Sequence, residues 1–244
     1  MASNEIKRPV VCVFCGSVSG NDPAHLEVAR TLAYEFHKHN IQLVYGGGTS
    51  GLMGEIARTL VRLSGPQSVH GVIPRALIRI EPGYDNAQKA NQHEHKTMSH
   101  GKDAERVLND PVSKAASLQE SEYGMTTITP DMHTRKRLMA TKVMEGGPGS
   151  GFVTLAGGFG TIEEVMEMTT WNQLGIHRRP IILMNVNGYW DGLLAWVRNA
   201  VEKGYIGPAN SQILVEAKEV TEVWGKLLGY NASCGQMQLN WGDE

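Results

Sequence analysis

Apolar residues along the chain fall into short continuous runs separated by stretches of helical period. Residues 10–14 are such a run, the pattern of a strand buried on both faces, and 41–45, 69–73, 152–155 and 180–184 read as further strands. Between them the apolar positions recur every three or four residues, as at Leu26, Ala29, Ala33 and Phe36, then at Met53, Ile56, Ala57, Leu60 and Leu63. Asp22-Pro23 reads as the N-cap and first residue of the first helix, and Gly65-Pro66 stops the second. A strand at 125–128 and a helix from Met132 to about Glu145, begun by Pro130-Asp131, follow later in the chain. A helix at 189–203, a short strand at 213–215 and a helix at 220–228 complete the pattern. This alternation predicts an α/β fold: a single doubly wound, Rossmann-like parallel sheet with helices on both faces.

The stretch 82–122 breaks the pattern. It is polar, rich in Asn, Gln, His, Lys and Ser, and reads as an insertion, a lid or a loop, with room for a short helix at 114–121. One domain is expected over 9–228, with a loosely ordered tail at 229–244 that Trp241 could anchor.

Composition narrows the function classes. The chain has 244 residues, 41% hydrophobic and 20% charged, which is ordinary globular composition and enough for a large core. A formal charge of -2 gives no basic footprint for nucleic acid. No apolar run approaches the roughly 20 residues of a membrane helix. Residues 1–8 are polar and show no secretory signal. The three cysteines, Cys12, Cys15 and Cys234, fit a reducing compartment, so a cytoplasmic location is expected.

The candidate chemistry sits where strands end. Ser17, the glycine loop at 46–51 with Gly47 in it, and the turn Gly157-Gly158-Phe159-Gly160-Thr161 all fall at strand carboxyl ends, where doubly wound sheets bind ligands. The last turn opens a helix whose packed face is read at Ile162, Val165, Met166 and Thr169, and a helix N-terminus suits a phosphate. Glu163 and Glu164 lie one turn inside. Thr161-x-x-Glu164 equally fits a capping box, in which Glu164 only caps its own helix.

On the helix from Met132, the positions Met132, Met139 and Val143 define one face. Arg135 and Lys136 flank it and Arg137 points away. A guanidinium at 135 could hold a phosphate or ribose through two parallel bonds, although charge runs are usually solvated faces. Cys12-x-x-Cys15 lies along a strand, where residues three apart face opposite sides, so both read as buried structural cysteines. His93, Glu94, His95 and His100 have the composition of a metal cluster but no predicted scaffold, and no metal or cofactor is expected. Neither a P-loop nor a Gly-x-Gly-x-x-Gly turn after the first strand is present.

Ala156-Gly157-Gly158-Phe159-Gly160-Thr161-Ile162-Glu163-Glu164 resembles the PGGxGTxxE motif of the LOG ("Lonely Guy") family of phosphoribohydrolases, often labelled lysine decarboxylases. Val13-Phe14-Cys15-Gly16-Ser17, Tyr45-Gly46-Gly47-Gly48, Gly71-Val72-Ile73-Pro74 and Met132-His133-x-Arg135-Lys136 extend the likeness, as do Thr170-Trp171-x-Gln173-Leu174-Gly175-Ile176-His177 and Gly188-Tyr189. Ala156 stands where the family has proline, and 82–122 is longer than the family leads one to expect. The resemblance implies hydrolysis of an N6-substituted adenosine 5′-monophosphate to free base and ribose 5-phosphate, without a cofactor, by a homodimer or larger assembly. It implies that Arg135 and Glu164 are catalytic. Gly157, Gly158, Gly160 and Thr161 would bind phosphate, Glu163 the ribose hydroxyls, and Lys136, Thr169 and Glu81 would contact substrate.

Overall fold

The computed structural model describes residues 7–79, 81, 82, 84 and 116–239. The described strands form one eight-stranded sheet. In chain order they are β1 (Val10–Phe14), β2 (Gln42–Tyr45), β3 (Val69–Pro74), β4 (Ala116–Ser121), β5 (Gly124–Thr129), β6 (Gly151–Thr154), β7 (Ile181–Met184) and β8 (Leu214–Ala217). Across the sheet the order is β4-β5-β3-β2-β1-β6-β7-β8, parallel throughout except for the antiparallel β4–β5 pair at one edge.

Helices α1 (Pro23–Lys38), α2 (Gly51–Ser64), a short α3 (Arg75–Ile78), α4 (Met132–Glu145), α5 (Phe159–Gln173), α6 (Asp191–Glu202) and α7 (Thr221–Gly229) connect the strands. As read from sequence, Asp22 caps α1, accepting from the Ala24 amide at 2.9 Å, and Asp131 caps α4 through the Thr134 amide at 2.8 Å.

The strand alternation builds two cores. Val11 and Val13 of β1 pack with Leu32 and Phe36 of α1, Ile56 and Leu60 of α2, and Leu227 of α7. Cys12 and Phe14 point the other way, into a core with Met139 and Val143 of α4, Val165 and Met168 of α5, and Val197 of α6. A sheet with helices on both faces follows from this period of two. Cys12 and Cys15 lie in the two different cores, and burial pushes both thiols up.

The short helix expected at 114–121 is not formed: Ala116–Ser121 is a strand. Its partner is β5, and the two-residue turn at Glu122-Tyr123 closes a hairpin in which Ser121 pairs with Gly124. The Tyr123 amide donates to Ser121 Oγ at 3.1 Å, and Gly124 takes φ 97°, which favours glycine. Sheet pairing at an open edge overrides the weak local preference. Apart from Pro82 and Tyr84, the remainder of the polar stretch, with His93, His95 and His100, and also Trp241, lies outside the described residues. Beyond α7 the chain is tied back to the body: Gln236 donates to Asn172 Oδ1 at 2.8 Å and the Met237 amide to the Gln173 carbonyl at 3.0 Å.

Two buried histidines make stability depend on pH. His177 bonds the Met168 carbonyl through Nε2 and accepts the Arg179 amide at Nδ1, fixing its neutral tautomer. Burial brings it to about 4. His70, bonded to Thr127 Oγ1, is brought to about 4 by burial and by the Lys142 charge. Unfolded, each would titrate at about 6.5. Their contribution is therefore complete above about pH 6.5 and is lost as pH falls towards 4, because the unfolded chain alone takes up those protons. Urea midpoints at a series of pH values should show His177→Gln losing less stability than the wild type over that window, by about 1 kcal/mol or more per pH unit. Parallel curves for the two proteins would reject the assignment.

Candidate active site

The sheet order reverses direction between β1 and β6, and a crevice of about 370 Å³ lies just beyond their carboxyl ends. Cys15, Gly16 and Ser17 follow β1, Gly46 and Gly48 follow β2, and Gly158 to Thr161, with Glu164, follow β6. The Gly16 amide donates to the Ala156 carbonyl at 2.9 Å, joining the two central turns. Tyr189 steadies the second from outside, its hydroxyl donating to the Gly157 carbonyl at 2.6 Å.

Helix α5 begins at Phe159 with Gly158 as N-cap and no side-chain cap. The capping-box alternative for Thr161 and Glu164 is therefore not realised: Thr161 is already the third helical residue, and Glu164 faces the crevice. Its first amides are unsatisfied by the helix itself and sit at its positive end. A methyl group built on Gly158 or Gly160 would meet nothing within 4 Å, so packing does not demand glycine there. The open space beside those amides is what an approaching anion needs.

Arg135 of α4 and Glu164 of α5 meet on the crevice floor. Both are buried, with Nη2 of the arginine 3.0 Å from Oε1 of the glutamate. The guanidinium is aimed by a 3.1 Å bond from Nε to the Val72 carbonyl within β3. Gly46 leaves it room, since a Cβ there would lie 2.1 Å from Nη2. Glu164 Oε1 receives no well-directed hydrogen bond. Burial raises the Glu164 carboxyl above its ordinary value, and the Arg135 charge only partly offsets this. A buried carboxyl so perturbed beside a cation in a crevice suits acid–base or charge-stabilising work.

Glu81 closes the β3 side of the crevice. Its Oε2 accepts from the Thr49 amide at 3.0 Å and the Thr49 hydroxyl at 3.1 Å. Tyr84, buried just beyond, donates to the Gly47 carbonyl at 2.8 Å. The sequence thus brings Ser17, Glu81, Arg135, Gly158, Phe159, Gly160, Thr161 and Glu164 to one cavity. Gly47 and Gly157 lie in the same turns, behind its lining. Lys136, Glu163 and Thr169 are not on the lining: Lys136 pairs with Glu163 and Glu167, and the Thr169 hydroxyl donates to its own helix at the Val165 carbonyl.

Sequence reasoning missed the apolar side of the crevice, made by Met53, Ile73, Leu77 and Met132. Met132 is 40% exposed, at the mouth rather than in the core face assigned to it, and Ile162 is 38% exposed. Periodicity cannot separate a core position from a pocket wall, because both are apolar. Arg137 is exposed, as the helical wheel requires. Arg135→Ala should therefore remove most activity whereas Arg137→Ala changes it less than about threefold; equal losses in steady-state assays would reject the helical-face argument. A larger groove of about 820 Å³ runs beside β8, α7 and residues 229–234, away from the glycine turns and the Arg135–Glu164 pair.

Fold and crevice together define a Rossmann-like α/β protein with its candidate site at the switch point of the sheet. The family described as "Possible lysine decarboxylase" matches residues 53–227. The chain is 35% identical over 226 residues to a cytokinin riboside 5′-monophosphate phosphoribohydrolase of Arabidopsis thaliana, covering 93% of this chain and 85% of that protein. It is 48% identical over 211 residues to a bifunctional cytokinin biosynthesis protein of Fusarium pseudograminearum (strain CS3096), covering 86% of this chain but spanning only 38% of that longer relative. The chain belongs to the LOG family, the one its glycine motif resembles. Among solved structures, the molybdenum cofactor carrier protein of Chlamydomonas reinhardtii superposes with a TM-score of 0.52 at 15% identity, over 90% of this chain and 95% of that one, a likeness of fold alone.

Proposed function

We propose that this protein hydrolyses the C1′–N9 bond of N6-substituted adenosine 5′-monophosphates, releasing the free base and ribose 5-phosphate. The observation that carries the reading is the buried Arg135–Glu164 pair beside the uncapped N-terminus of α5. The printed names of relatives such as the Arabidopsis enzyme support it. In this reading the glycine turn and the first amides of α5 hold the 5′-phosphate, while Ser17, Gly47 and Glu81 border the rest of the nucleotide. Breaking the glycosidic bond builds positive charge on the ribose. The Glu164 carboxylate stabilises that charge or takes the proton of the attacking water. A guanidinium is a poor proton donor at neutral pH, so Arg135 orients the substrate and stabilises charge on the departing base.

The decarboxylase label finds no support in the crevice. Covalent amine chemistry with pyridoxal phosphate needs a lysine nucleophile, and none of the described lining residues is lysine. Among the described residues no cluster of His, Cys, Asp or Glu suited to a metal is found, and no helix is long and apolar enough to cross a membrane. The reading further includes a cytoplasmic homodimer or larger assembly, without nucleic-acid partners. The 94% exposed Phe159, with the partly exposed Leu77 and Met132 on the same crevice, supports burial of that rim against another chain. Incubation with AMP and a panel of N6-substituted analogues, followed by chromatography, tests the activity. Released base is expected; a nucleotide carrier on the same fold would release none.

A further inference from the structure

Outside the crevice, a second set of charges joins the two helices that carry the reactive pair. Lys136 follows Arg135 on α4, and its side chain is only 10% exposed. Its ammonium donates to Glu163 and lies 3.1 Å from Glu167 Oε2, a buried oxygen with no directed hydrogen bond. Glu163 and Glu167 are four residues apart, so they share one face of α5 and grip one ammonium between them. Glu164 sits about 100° round the same helix and meets Arg135 instead. The helices are thus laced by two rungs, Arg135–Glu164 within the crevice and Lys136–Glu163/Glu167 outside it.

We propose that Lys136 and Glu167, with Glu163, are positioning residues that hold α4 against α5 and set the field in which Glu164 works. This assigns Lys136 and Glu163 a role other than the substrate contacts implied by family resemblance, and it brings in Glu167, which no motif singled out. The proposal rests on Glu164 being the reacting carboxylate. The outer rung carries one positive and two negative charges, so it is not neutral towards Glu164. The charged and titratable groups acting on Glu164 are Arg135 and Lys136 from α4, Glu163 and Glu167 from its own helix, and Cys12 and Cys15 from the β1 side, with Glu81 across the cavity. Both thiols are pushed up by burial and stay neutral at working pH. The outer rung is therefore the adjustable part of this field, because Arg135 itself belongs to the reaction.

Opposite charges in one rung give opposite expectations. Lys136→Met removes a cation near Glu164 and should move the acid limb of the kcat/KM pH profile upward. Glu167→Gln removes an anion and should move it downward, each by a few tenths of a pH unit or more. Lys136→Arg keeps the charge and should restore the wild-type limb. All three should lower kcat more than they raise KM for AMP. The profiles are measured by base release, beside urea midpoints for each variant. Glu164→Gln serves as the control. If that variant keeps the acid limb, Glu164 is not the titrating group and the functional reading underneath fails. If Glu164→Gln abolishes the limb but the Lys136→Met and Glu167→Gln limbs coincide or move together, the rung is mere helix packing and the proposal is overturned.

Discussion

Replacing Glu164 with glutamine should lower kcat by about 100-fold or more while leaving fold and AMP binding in place. The amide nearly matches the carboxylate in shape, so the packing of α5 on α4 is kept. What is lost is the negative charge beside the developing positive ribose, and the group able to accept a proton from water. The wild-type profile carries a second mark of the same residue. Burial holds the Glu164 carboxyl above the ordinary carboxylate range. If the ionised form does the work, kcat/KM falls as pH drops through that raised value, and the limb lies above the pH of about 4.3 expected for an unperturbed glutamate. Near-wild-type turnover by Glu164→Gln in a stopped-time assay of adenine release would leave this side chain a structural partner of Arg135 and nothing more.

The 5′-phosphate should be close to obligatory. Two features meet at the turn after β6: unsatisfied amides at the start of α5 and empty space at Gly158 and Gly160. Hydrogen bonds to a charged group contribute roughly 1.5–3 kcal/mol each, and losing two or three costs several kcal/mol, short of strict additivity. Part of that binding holds the ribose for attack, so its loss should lower turnover as well as affinity. An N6-substituted adenosine should be cleaved at least about 1,000-fold less efficiently than its 5′-monophosphate, equivalent to about 4 kcal/mol. The comparison is kcat/KM for the matched pair. Similar values for nucleoside and nucleotide would mean that the glycine turn does not bind phosphate.

Much of the fold was legible because buried parallel strands and their crossover helices leave strong signals. Val10–Phe14 was read to the residue, and Asp22 and Asp131 were read as helix starts from side chains that do cap. The edge strand Ala116–Ser121 was not, because its conformation is fixed by pairing with β5 rather than by its own pattern. Ser121-x-Tyr123-Gly124, followed by Thr126, Thr127 and Thr129, held the signal of a tight turn and a β-branched strand. Glu164 was singled out only by the motif, whereas Arg135 was legible for a similar reason to the strands: its helical angle sets it beside the packed face, where it is buried. Lys136 was not, since the wheel that brings it beside packed structure cannot say whether its neighbour is substrate or glutamate. The sequence also could not choose between Glu164 as cap and Glu164 as pocket residue. That choice depended on where α5 starts, two residues before Thr161.

Helix α4 leaves β5 and returns to β6, which are separated in the sheet by β3, β2 and β1. It must therefore cross beneath all three, and its Arg135 donates a hydrogen bond to the Val72 carbonyl on the way. This predicts an order of assembly. The block of β1, β2 and β3 with α1 and α2 is contiguous in sequence and needs only nearby chain to form. Docking of α4 needs that block already in place and closes a long loop, the slow kind of step in folding. During refolding, secondary structure and collapse should accordingly appear before Arg135 has a site to enter. Recovery of hydrolysis should trail both, on the timescale of the α4 crossing.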